Sequence, residues 1–162
     1  MRKLIGLSFL AFLSGCVTPP QIAKNETSAS IFVTTSTLET NSIHPDETIF
    51  VSVYTPDQSL MHDAPLSVIT LKPKKTGGSF YLNSEVAYKI MLHSSNSGAF
   101  GSSHCSSLLD VTPSKNAVYK IQFNVNEPNN KCALIFSDQN SELVNKSFAK
   151  NKTYNIPIPI PF

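Results

Sequence analysis

The chain has 162 residues and a net charge of +2, for which Arg2 and Lys3 account entirely, so the remainder carries equal numbers of acidic and basic residues. No clustered excess of basic residues is present, which excludes a large basic face for nucleic acid. Arg2 is the only arginine, so the usual side chain for bidentate phosphate recognition is missing from the rest of the chain. The length suits one domain with its own hydrophobic core.

The N-terminus is a short apolar segment that follows two basic residues. Leu4–Leu13 is interrupted only by Gly6 and Ser8. It is too short to cross a bilayer as a helix, which takes about 20 apolar residues. Basic residues, a short apolar run and small residues at its end are typical of a secretory signal peptide, which we predict over residues 1–15.

The apolar segment ends in Leu13-Ser14-Gly15-Cys16, which resembles the lipobox of bacterial lipoproteins: one apolar residue, two small residues and the cysteine that is lipidated. The resemblance implies cleavage between Gly15 and Cys16, a diacylglyceryl group on the Cys16 thiol and acylation of the new amino group. Because Val17 rather than Asp follows the cysteine, it also implies sorting to the outer membrane, with the protein facing the periplasm. The alternative is an ordinary signal peptide whose cleavage site happens to end in cysteine.

Residues 16–30 are predicted to hold the lipidated cysteine and a flexible tether. This segment is polar, has no hydrophobic periodicity and contains Pro19-Pro20. Fully extended, it could reach about 45 Å, ahead of a folded domain that we expect over residues 31–162.

From Ile31 onward, short runs of β-branched and aromatic residues predict strands. The clearest is Ala117–Asn126, where apolar and polar residues alternate, followed by a turn and a return strand over Cys132–Phe136. The other predicted strands, with a turn at Gly77-Gly78 after the third, are Ile31–Thr35, Ile49–Tyr54, Leu66–Leu71, Phe80–Leu82 and Val86–His93. This spacing favours an all-β fold, an antiparallel β-sandwich of the immunoglobulin- or transthyretin-like kind, with a small barrel as the alternative.

Two segments do not match a regular strand pattern. Ser94–Ser107 is rich in serine and glycine and is predicted to be a long loop, either functional or mobile. In Ile156–Phe162, proline recurs at every second residue, which would leave backbone donors along one edge only. We expect a blunted edge strand there; the alternative is a hydrophobic tail that docks on a partner.

The three cysteines are interpreted as one lipidation site and one disulfide pair. If Cys16 is lipidated, Cys105 and Cys132 remain as a pair, and a disulfide between them is expected in the oxidising envelope. The competing interpretation makes Cys105, beside His104, a nucleophile or a metal ligand. It is disfavoured because, in an oxidising compartment, a second cysteine is available to form a disulfide with that thiol.

The sequence contains no nucleophile elbow, no glycine-rich phosphate loop and no Cys-x-x-Cys pair. Four histidines are scattered through predicted loops and strand ends: His44, His62, His93 and His104. Ser102 or Ser103 could form a triad with a histidine and Asp110, but a serine-rich segment offers such combinations by chance. We therefore assign no catalytic residue, no metal site and no cofactor.

A membrane anchor without a catalytic motif favours a non-enzymatic interaction module. We expect it to present an exposed edge or loop to an envelope protein partner and to bind no nucleic acid. One alternative is a ligand-binding or enzyme-inhibitor lipoprotein that uses Ser94–Ser107. A serine hydrolase that uses a serine of the same segment is the third hypothesis.

Overall fold

The computed structural model describes residues 21–35, 48–72, 76–98, 101–127, 131–140, 143–150 and 152–155. These residues form ten strands and no helix. The strands are β1 (Ala29–Thr34), β2 (Thr48–Tyr54), β3 (Ser67–Leu71), β4 (Gly77–Leu82), β5 (Tyr88–Gly98), β6 (Gly101–Val111), β7 (Val118–Glu127), β8 (Lys131–Asp138), β9 (Leu143–Lys150) and β10 (Lys152–Asn155).

The strands form two five-stranded sheets that pack together as a β-sandwich. Sheet A has the strand order β4-β1-β7-β8-β9, and sheet B has the order β10-β6-β5-β2-β3. Neighbouring strands are antiparallel except β1 and β7, which run parallel with Ser30 opposite Val118. The prediction of an all-β sandwich is confirmed.

The core lies between the sheets and follows from the alternation of apolar residues along the strands. One continuous cluster of buried side chains includes Ile49, Val51 and Val53 of β2 in sheet B and Ile121 and Phe123 of β7 in sheet A. Burying one such side chain stabilises the fold by about 1.5–3 kcal/mol. Because inward residues recur every second position, the residues between them lie on the outer faces.

The turn predicted at Gly77-Gly78 is wrong, because both glycines belong to β4. A Cβ atom on Gly78 would lie 2.8 Å from Cγ2 of Ile69, a β3 residue of the other sheet. The missing side chain therefore lets the edge strands β3 and β4 approach each other closely, which is a recognised use of glycine within a strand.

The long loop predicted over Ser94–Ser107 is also wrong. β5 and β6 are paired residue for residue from Tyr88 opposite Val111 to Gly98 opposite Gly101. Ser94 and Ser107 take inward positions and are buried, where small hydroxyl side chains replace the expected apolar ones. A serine-rich strand lacks the apolar alternation on which strand prediction depends.

The tether is shorter than the sequence suggests. Ala29 and Ser30, which the tether prediction included, are the first residues of β1. Ile22 is partly buried against the core, so the packed part of the chain begins before residue 31. Residues 1–20, with the predicted signal peptide and lipobox, and Ile156–Phe162, with the predicted edge strand, lie outside the described residues.

Candidate interaction surface

The predicted disulfide between Cys105 and Cys132 is present and joins the two sheets. Cys105 belongs to β6 of sheet B and Cys132 to β8 of sheet A, with Cα atoms 6.5 Å apart. Both residues are buried within the core cluster. The bond therefore links the two sheets covalently, and Cys105 has no free thiol that could act as a metal ligand or nucleophile. The other predicted site residues, Gly15 and Cys16, lie outside the described residues.

The serine triad suggested by the sequence is not assembled along β6. Ser103 pairs with Asn96 and Asp110 pairs with Lys89 in the same hairpin. Seven residues of extended strand separate Ser103 from Asp110, a distance of about 23 Å. A hydrogen-bonded triad that contains both residues is therefore geometrically impossible.

A different serine and histidine do come together, on the outer face of sheet B. Nδ1 of His93 lies 2.7 Å from Oγ of Ser106, its direct partner across β5 and β6. The ring of His104 lies 6.0 Å from that of His93, centroid to centroid. Partial burial and, to a smaller degree, the His104 imidazole lower the pKa of His93. The lowered pKa favours the neutral imidazole of His93 at neutral pH.

The remaining polar candidates show no convergence on a metal. Asp63, which follows His62, accepts a 2.7 Å hydrogen bond from the backbone N–H of Ser59 and so stabilises the β2–β3 turn. His44 lies outside the described residues. Over the described ranges, no three histidine, cysteine or acidic residues are grouped closely enough to hold a metal ion. No helix there is long and apolar enough to span a membrane.

Several apolar side chains lie on the outer face of sheet B. Alternation places Phe50 of β2 outward, with 40% of its surface exposed, and Leu108 of β6 outward with 44% exposed. Met91 is the direct partner of both Leu108 and Ser52, and Ser52 is in turn opposite Val68 of β3. Val68, Phe50, Met91 and Leu108 thus lie close together across four strands and are hereafter the sheet B patch. Polar residues border them, because Ser52 lies between Val68 and Met91, and Thr70 and His93 are the direct partners of Phe50.

The outer face of sheet A differs. Phe32 of β1 is exposed to a similar degree, 48%, but its direct partners are Ser79 on β4 and Lys120 on β7. The residues on either side of it on the same face, Ser30 and Thr34, are also polar, and Tyr81 and Val118 lie diagonally from it, each opposite Ser30. The other exposed large apolar side chain on a strand of this sheet, Leu143 of β9, lies three strands away. A single exposed apolar side chain is ordinary on a protein surface, whereas a contiguous patch indicates an interaction site.

Residues 21–28 cross the side of the sandwich formed by the edge strands β3 and β4. Gln21 Nε2 donates a 3.2 Å hydrogen bond to the carbonyl oxygen of Val68 on the outer edge of β3. The Lys24 ammonium lies 5.2 Å from the centre of the Tyr81 ring on β4. Asn25 Nδ2 donates to Oδ1 of Asn83 at 2.8 Å, just after β4. This segment therefore contacts the β3 edge through Gln21 and then crosses to β4.

Asn25 also organises the turn that leads into β1. Its Oδ1 accepts hydrogen bonds from the backbone N–H of Thr27 and the hydroxyl of Ser28. The backbone N–H of Ser30 then bonds the carbonyl of Ala117. These contacts fix the path of the chain from Gln21 to β1. A local sequence signal for this turn is present, since Asn25 is followed two and three residues later by the hydroxyl residues Thr27 and Ser28.

Comparison with known proteins finds no family model that matches the chain, no similar curated protein and no solved structure with a significant match.

Proposed function

We propose that this protein is a lipid-anchored envelope lipoprotein whose β-sandwich acts as a non-enzymatic interaction module on the periplasmic side of the outer membrane. The observation that carries the proposal is the division of its cysteines. Cys16 ends a lipobox-like motif, while Cys105 and Cys132 form a buried bond between the sheets, as suits an oxidising compartment. Lipidation at a single cysteine with two or more acyl chains is sufficient for stable anchoring.

The partner surface that best fits this role is the side of the sandwich formed by β9 and β10. These strands end sheets A and B, on the side away from β3 and β4. On the opposite side, Gln21 already occupies part of the β3 edge. An edge strand presents backbone donors and acceptors to an incoming strand, so β10 is suited to strand addition by a protein partner.

Site-specific photo-crosslinking in intact cells tests this proposal. A benzophenone amino acid replaces Tyr154 of β10 in one variant and Tyr81 of β4 in the matched control, since both are tyrosines on edge strands at opposite sides. We expect a stoichiometric protein adduct from position 154 and none from position 81. Absence of an adduct at both positions, in protein verified to be membrane-bound, would refute the interaction role. The Cys16→Ala variant should lose membrane attachment.

The β5–β6 hairpin favours an inhibitor or ligand-binding role as the second candidate. Among the described residues, pairing between β2 and β5 ends at Thr48 opposite Ser95, whereas β5 continues to Gly98. On the other side of the hairpin, β10 pairs with β6 up to Gly101, so the tip would meet a cleft together with β10. An adduct from a photo-crosslinker at Asn96, combined with none at Tyr154, would favour this alternative. Replacing Asn96–Ser103 by an Asn-Gly turn should then abolish binding while the rest of the sheet register is kept.

A further inference from the structure

We infer that the outer face of sheet B lies against the membrane that carries the lipid anchor, with the sheet B patch in contact with the lipid headgroups and upper acyl chains. This inference rests on the proposed lipidation of Cys16. It specifies which face of the domain contacts the membrane and therefore how the domain is oriented on it. The β9–β10 side remains available to a protein partner.

The first step is the length of the link between lipid and domain. Gln21 is held to the carbonyl oxygen of Val68, and Ile22 is packed against the core. Only five residue spacings therefore separate Cys16 from the first fixed residue, a reach of about 18 Å at full extension. The domain cannot move far from the bilayer surface.

The second step is where the link joins the domain. Gln21 bonds to β3, the edge strand of sheet B and the first strand of the sheet B patch. Phe50 is one strand away from Val68 and two residues along, about 8 Å by strand spacing and rise. The patch therefore begins at the attachment point of the link and lies within its reach.

The third step is the chemistry of the two outer faces. They point in opposite directions, so a flat membrane can contact only one of them. On sheet B, the exposed Phe50 and Leu108 are two strands apart, with Met91 opposite Leu108 on the strand between them. On sheet A, the exposed Phe32 and Leu143 lie three strands apart, on β1 and β9. Removing contiguous apolar area from water is favourable, so the membrane-facing side is sheet B.

The β2–β3 loop supports the same orientation. Met61 in this loop is 90% exposed, the highest value among the large apolar side chains that the structure describes. The loop lies at the end of sheet B where β3 begins, close to Val68 in the chain. Lys89, next to the patch, donates to the carbonyl oxygen of Pro56 in this loop and holds it against the sheet. Met61 is therefore positioned to enter the lipid surface beside the patch.

Tryptophan fluorescence offers a direct test because the chain contains no tryptophan. Phe50→Trp and Phe32→Trp are a matched pair, each replacing an exposed phenylalanine on the outer face of one sheet. The full lipidated protein is reconstituted into phosphatidylethanolamine–phosphatidylglycerol vesicles that contain a phospholipid brominated near the glycerol end of its acyl chains. Circular dichroism verifies that each variant is folded, and Leu108→Trp provides a second position on the sheet B patch.

We expect brominated lipid to quench most of the fluorescence of Phe50→Trp and Leu108→Trp and to leave Phe32→Trp nearly unchanged. Equal quenching of the pair, or stronger quenching of Phe32→Trp, contradicts the inference. So does shielding of Phe50→Trp from aqueous acrylamide without bromine quenching, which would assign the patch to a second copy or to Ile156–Phe162. If the purified protein carries no lipid and does not float with vesicles, the proposed lipoprotein function itself fails. Flotation without quenching removes only the orientation.

Discussion

Loss of the bond between Cys105 and Cys132 should cost a large part of the stability of the domain. The bond closes a loop of about 28 residues, for a sequence separation of 27, and the loop contains the whole of β7. On the chain-entropy model, such a loop contributes about 3.6 kcal/mol at room temperature. For a domain of this size, that corresponds to a fall in Tm of roughly 7–14 °C.

The assay compares thermal unfolding of the wild-type protein and of the Cys105→Ala, Cys132→Ala double variant, each with and without reductant. Because both cysteines are buried, reduction is carried out in denaturant before refolding. We expect reductant to lower the Tm of the wild-type protein and to leave that of the double variant unchanged. A wild-type Tm that moves by less than about 2 °C would show that the bond adds little stability. Two free thiols in the native protein would show that it is absent.

Three further predictions follow from single positions. Gly78→Ala should destabilise the domain by about 1–3 kcal/mol, since its Cβ would meet Ile69, whereas Gly77→Ala should be tolerated. Equal denaturation midpoints for the two variants would contradict the close packing of β3 against β4. Because the pKa of His93 is lowered in the folded state, its contribution to stability is present above about pH 6.5 and is lost as the pH falls through the folded pKa. The variant His93→Gln should therefore show a smaller loss of unfolding free energy at acid pH than the wild-type protein, and an equal loss would refute this. A fluorophosphonate probe should not label Ser106, an exposed residue that contacts His93 on the outer face of sheet B, because no third group that would orient the histidine is assigned there. Labelling that is lost in Ser106→Ala would instead support the hydrolase hypothesis.

Apolar alternation was sufficient to locate the inner strands. The predicted strand Ala117–Asn126 corresponds to β7, Val118–Glu127, because Ile121, Phe123 and Val125 all point into the core. The same rule failed for the far half of the β5–β6 hairpin, where serines occupy both faces. It also missed β9, in which apolar and polar residues come in runs rather than alternating, and the short, mostly polar β10. These strands are specified by pairing with neighbours that are distant in sequence, and no local pattern records such pairing.

Only part of the candidate site could be predicted from the sequence. The disulfide could be predicted from the cysteine count, since an even pair remains after Cys16. The sheet B patch could not, because Phe50, Met91 and Leu108 become neighbours only once β2, β5 and β6 are in register. The short link was missed for a similar reason, since the hydrogen bond between Gln21 and Val68 spans 47 residues of chain.

The central claim is that Cys16 is the lipidated first residue of a disulfide-bonded domain. Intact-mass measurement of the protein extracted from bacterial membranes tests it most directly. The account predicts a chain that begins at Cys16, carries a diacylglyceryl group and an amide-linked acyl chain, and lacks the two hydrogens lost in forming the bond between Cys105 and Cys132. A mass that corresponds to the uncleaved chain, or to a cleaved chain without lipid, would contradict it.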